Sequence, residues 1–170
     1  MRQFAIILFS LVLAACASGT GYQYPTTGYT PLPVLSTVTL NRPFTIRADR
    51  ASEYIQSATS APYNTVSEYY PHCIFELRTV EETARTIQPE TFAVTGIRRD
   101  RYMAGFRRLM VAGLGGDYNP VMSTTTISLH SDTQPDVFRL SCQQLDDAFI
   151  ARHVSLEQMR AVLGDLFTLE

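Results

Sequence analysis

The sequence predicts a mostly β chain, an antiparallel β-sandwich or small barrel with one C-terminal α-helix. Short runs rich in Val, Ile, Thr, Tyr and Phe recur along the chain, each bounded by Pro, Gly, Asn or Asp. Pro43, Pro62, Pro71, Pro89, Pro120 and Pro135 fall between or just before these runs, where a missing amide hydrogen removes no ladder bond. One stretch alone, near the C-terminus, has helical periodicity with both ends marked.

In chain order, the candidate strands are 34–40, 44–48, 52–56, 74–80, 91–99, 106–112, 124–130 and 137–142. The helix begins after Ser155, whose hydroxyl can cap the first turn while Gln158, three residues on, returns the bond. Leu156, Met159, Val162 and Leu163 form one apolar stripe, and Gly164 supplies the left-handed stop. That stripe should cover one end or face of the sheet. Residues 166–169 can add a last short strand.

Composition bounds the chemistry. Hydrophobic residues make up 45% of the chain and charged ones 18%, an ordinary globular balance for a single core. All 14 basic residues are arginine, so Schiff-base and lysine-base mechanisms are excluded. The net charge of −2 provides no basic field to draw the domain onto nucleic acid.

The N-terminus has the three parts of an export signal: Arg2 for charge, the apolar run 4–13, and small residues before Cys16. The run is too short to span a bilayer core, which takes about 20 apolar residues. Leu13-Ala14-Ala15-Cys16 resembles the bacterial lipobox. The resemblance implies cleavage before Cys16, acylation of that cysteine and a permanent membrane anchor. Ala17, in place of aspartate, implies the outer membrane by the enterobacterial sorting rule. Residues 1–15 are thus expected to be signal peptide, and 16–33 a lipidated N-terminus and tether rich in Gly, Thr, Tyr and Pro. A flexible coil of that length has a root-mean-square span of roughly 23 Å. Residues 34–170 then form one periplasm-facing domain.

With Cys16 lipidated, Cys73 and Cys142 remain as an even pair in an oxidising compartment. Each shares its strand phase with apolar residues, Phe75 and Leu77 on one run, Phe138 and Leu140 on the other. Both should point inward and form a disulfide. No Cys-x-x-Cys suggests redox work.

Familiar catalytic and metal patterns do not assemble. His72, His130 and His153 share no ligand spacing, with each other or with Asp132 or Asp136, so no metal or other cofactor is expected. Gly113-Leu114-Gly115-Gly116-Asp117 would need a helix directly after it to hold phosphate. Pro120 and the Thr-rich run Ser123 to Thr126 that follow make the glycine run a turn between strands instead. No Gly-x-Ser-x-Gly is present, and no triad order stands out.

The densest feature is Arg98, Arg99, Asp100, Arg101 and Tyr102, followed by Phe106, Arg107 and Arg108, across what reads as a hairpin. Bidentate arginines beside aromatics can grip an anionic partner, such as a glycolipid head group or an acidic envelope protein. Strand alternation puts Arg99 and Arg101 on one face and Arg98 on the other, unless a turn at Asp100 reorients them.

Tyr70-Pro71-His72-Cys73 and the stretch from Gln134 to Cys142 resemble segments of a group of uncharacterised proteobacterial lipoproteins. The resemblance implies envelope residence and transfers no site residue. The expected role is a non-catalytic envelope binding or assembly-accessory module. The alternative is an envelope-polymer hydrolase whose site is dispersed along the chain.

Overall fold

A computed structural model of the chain describes residues 34–104 and 120–170. The lipobox with Cys16, the tether, the candidate strand 106–112 with Phe106, Arg107 and Arg108, and the glycine run 113–117 all lie outside them.

The described chain is mostly β, as expected. It forms β1 (Thr37–Leu40), β2 (Phe44–Ile46), β3 (Arg50–Gln56), β4 (Thr59–Ala61), β5 (His72–Glu81) and β6 (Arg85–Ile87). After these come β7 (Glu90–Met103), β8 (Pro120–His130), β9 (Val137–Asp147), α1 (Leu156–Leu163) and β10 (Phe167–Leu169). Eight strands make one antiparallel sheet in the order β10-β1-β7-β8-β9-β5-β3-β4, and β2 pairs with β6 in a small second sheet.

The large sheet curls on itself. β5 and β10 stand five places apart in it, which in a flat sheet would be roughly 24 Å at the usual strand spacing. Yet the rings of Phe75 on β5 and Phe167 on β10 have centroids 5.2 Å apart. Phe44, from the small sheet, meets Phe75 edge-on at 5.6 Å and Phe167 at 6.0 Å. Phe75 is therefore the hub of an aromatic core held inside an open half-barrel. The helix bridges the open side, burying Met159, Val162 and Leu163 against the same core.

The helix forms where its signals predict. Ser155 accepts from the Gln158 amide at 3.2 Å, and the Gln158 side chain accepts from the Ser155 amide at 2.9 Å. Gly164 ends it with φ of 55°.

Cys73 and Cys142 are directly paired across β5 and β9, both fully buried, and joined in a disulfide. It ties strands 69 residues apart in sequence at the centre of the sheet.

Several boundaries differ from expectation. β4 and β6, three residues each, are additional to the expected strands. The expected strand 124–130 forms and begins earlier, at Pro120, so Ser123 to Thr126 lie inside β8, where β-branched threonines suit a pleated surface. β7 runs on to Met103 and β9 to Asp147, because each finds a long partner in β8.

Candidate functional site

Strand register places the side chains of the outer sheet face in rows. One row runs Tyr54 on β3, Ile74 on β5, Ser141 on β9, Thr126 on β8 and Arg98 on β7. A neighbouring row carries Gln143, Thr124 and Asp100, and a row on the other side carries Ser52, Glu76 and Arg139. The middle strands bear short side chains, Ser141, Thr126 and Thr124. Taller ones stand on the flanks, Tyr54 on one side, Arg98 and Tyr102 on the other. On a sheet of constant strand spacing, that difference in side-chain length leaves a trough of about 460 Å³.

A bulge decides which part of the arginine-rich run reaches this trough. Val94 pairs with Leu129 and Ile97 with Ile127, so the extra residue between them lets two positions three apart both face the core. Every side chain beyond is thereby switched in phase. Arg98, Asp100 and Tyr102 face the trough, while Arg99 and Arg101 face inward. β7 is continuous through Asp100, so no turn reunites them.

The charges in the trough are matched in pairs. Arg139 donates to both oxygens of Glu76, at 2.9 and 2.8 Å, and Ser141 donates to the same carboxylate at 3.1 Å. This contact with Glu76 holds the Arg139 guanidinium above its ordinary pKa. The guanidinium also lies over the Phe138 ring, 4.9 Å from its centroid, so its plane is fixed from two directions. Arg98 pairs with Asp100 at 3.0 Å, two residues along the same face.

A chain of hydrogen bonds lies under one end. His72 Nδ1 sits 3.0 Å from the Tyr70 carbonyl oxygen and, given that partner, carries the hydrogen. His72 Nε2 then accepts from the Gln143 amide at 3.1 Å, and Gln143 Oε1 accepts from Thr124 Oγ1 at 3.2 Å. Burial pushes the His72 pKa down, against the opposing pull of the Tyr70 carbonyl and Glu68. The imidazole is neutral and orients a trough hydroxyl.

Tyrosines gather at this end. Tyr54 and Tyr63 have ring centroids 5.3 Å apart, and Tyr63 donates to Glu68 at 3.0 Å. Burial, then the charge of Glu68, raises the pKa of both Tyr54 and Tyr102. Tyr102 is 53% exposed and offers its ring to solvent.

On the inner face, Arg101 donates to the Ala151 carbonyl at 2.9 Å, fastening the segment that leads from β9 into the helix. Burial, and then the charges of Arg99 and Arg101, lower the pKa of His153 on that segment. These two arginines are structural in position. His130 lies exposed beside Asp132, far along the sheet from His72. Among the described residues no three His, Cys, Asp or Glu side chains gather as a metal site would require. No helix among them is long and apolar enough to cross a membrane.

Of the predicted site residues, the structure brings Arg98 and Tyr102 to the trough and separates Arg99 and Arg101 from them. Tyr54, Glu76, Arg139 and Gln143 were not singled out by sequence. The only local signal was the hydroxyl run Ser123 to Thr126, half of which forms the trough floor.

Compared with known proteins, the chain matches no family model, no curated protein and no solved structure.

Proposed function

We propose that this chain is a lipid-anchored envelope protein that binds a ligand in the outer-face trough and performs no chemistry on it. The export leader and Leu13-Ala14-Ala15-Cys16 support acylation at Cys16. Ala17 supports residence at the outer membrane, with the domain facing the periplasm.

The observation that carries the binding role is the trough itself: a polar concavity built on rigid strands, with its side chains held by one another. Polar groups fixed in a concavity orient a ligand and give it specificity. A glycosidase of the two-carboxylate kind does not fit the trough's spacing. Glu76 and Asp100, the trough's two carboxylates among the described residues, stand on strands three spacings apart, roughly 14 Å. Carboxylate pairs that cleave glycosidic bonds work at about 5 to 9.5 Å. Each is also held by its own arginine.

The test is a crosslinking pull-down from intact envelopes, comparing the parent chain with the trough-filling variant Thr124→Phe. A crosslinked species lost in the variant, at an unchanged melting temperature, is the expected result. A species retained in full by a folded variant overturns the assignment of the trough.

A further inference from the structure

We infer that the trough takes an uncharged oligosaccharide of pyranose rings, an inference that rests on the binding reading above. The strands beneath it, β5, β9, β8 and β7, are interior to the sheet, so their backbone groups are committed to ladders. A ligand there is recognised by side chains alone. An extended peptide adding itself as a strand has no purchase on this face.

Charge selects further. Among the described residues the trough holds two carboxylates, Glu76 and Asp100, and two guanidiniums, Arg139 and Arg98, each matched to its neighbour. An anion or a cation would have to compete with an existing pair, whereas a neutral ligand leaves both in place. The described lining sums to zero charge and complements a ligand that is also uncharged.

What the trough does offer is hydroxyls and an amide. Ser141, Thr126, Thr124 and Gln143 together supply donors and acceptors side by side. A sugar hydroxyl both donates and accepts, so a polyol matches such a floor without leaving groups unpaired. Ile74 is the one aliphatic side chain among the described residues of the lining, too little for an acyl chain or an apolar anchor. Tyr54 and Tyr102 stand on the flanks as amphipathic rings, apolar on the face and polar at the tip. The C–H faces of pyranose rings pack on such surfaces while their hydroxyls reach the polar floor. The volume, about 460 Å³, lies within the usual range for small-molecule sites.

The experiment titrates the full chain, purified in a detergent without a sugar head group. Probes are chitotetraose in its N-acetylated form, maltotetraose and inorganic phosphate, followed by amide chemical shifts. The expected result is saturable shifts on β8 and β9 with at least one tetrasaccharide, and none with phosphate. Tyr102→Ala should weaken that binding about tenfold with unchanged melting, and Thr126→Val about threefold. Absence of saturable shifts with both sugars overturns the inference, as does phosphate displacing the sugar or Tyr102→Ala binding like the parent. If the envelope crosslink at the trough persists while both sugars fail, the glycan class alone falls. If crosslink and sugar binding both fail, the binding role falls with it.

Discussion

Arg98 and Arg99, neighbours in the chain, lie on opposite faces of β7 and do different work. Arg98, its side chain 72% exposed, pairs with Asp100 at the edge of the trough. Arg99 faces inward, close enough to His153 to depress its pKa. The bulge between Val94 and Gly96 sets that division.

It follows that the arginines separate by phenotype. Arg98→Ala should change stability by less than about 0.5 kcal/mol, because exposed pairs contribute little. Arg101→Ala should cost about 1 kcal/mol through the lost bond to Ala151. Denaturant titration of the two variants checks this, and equal losses would contradict the two-faced reading.

The Cys73–Cys142 bridge closes a long loop, with a sequence separation of 69. In the chain-entropy model such a link stabilises by roughly 4 kcal/mol. Cys73→Ser with Cys142→Ser should therefore lower the melting temperature by on the order of 10 °C or more. Alkylation of unreduced protein should label neither cysteine.

Acid should loosen the domain before its carboxylates protonate. His72 and His153 both have folded pKa values below the ordinary 6.5, each chiefly through burial. The unfolded chain therefore binds protons that the native state refuses. Stability is fully present above about pH 6.5 and falls as pH drops from there toward the folded values. Melting curves between pH 8 and 5 should show this decline, and His72→Gln with His153→Gln should flatten it. A decline unchanged in that double variant would place its origin elsewhere. At lower pH, Glu90 adds a second loss. Desolvation raises its pKa, but bonds from Gln134, Ser131 and Thr133 outweigh that and hold it below the usual value.

Two glycines should respond oppositely to alanine. Gly164 sits at φ of 55°, and a Cβ there would lie 2.4 Å from that of Ala58. Gly164→Ala should cost more than about 2 kcal/mol, combining backbone strain with a steric clash. At Gly96 a Cβ meets nothing within 4 Å and the backbone is not left-handed. Gly96→Ala should be neutral or stabilise by up to about 1 kcal/mol. Thermal melts of the pair decide it.

Local features were legible in the sequence, and long-range ones were not. The helix could be bounded because Ser155, Gln158 and Gly164 act within a turn or two of one another. The cysteine pair could be read because inward phase shows in the alternation around each residue. β4 and β6 could not be found, since three-residue strands exist only through their partners. The trough was hidden for a related reason. Tyr54, Ser141 and Arg98 become neighbours through registers across five strands, and the bulge near Thr95 shifts β7 by a phase that alternation alone cannot supply. The strand over 124–130 could be read from its β-branched threonines, whereas its start at Pro120 depends on pairing with β7 and β9, which alternation within the run cannot supply.

The central claim is that the outer-face trough is where this protein meets its ligand. The most direct measurement places a photo-crosslinking residue at Ser52, in the trough lining, or at Thr86, exposed on the small sheet, in the full chain within living cells. The trough assignment expects a discrete adduct from Ser52 and none from Thr86, with the Ser52 adduct lost on adding Thr124→Phe. Identical adduct patterns from the two positions, or none from Ser52, would contradict it.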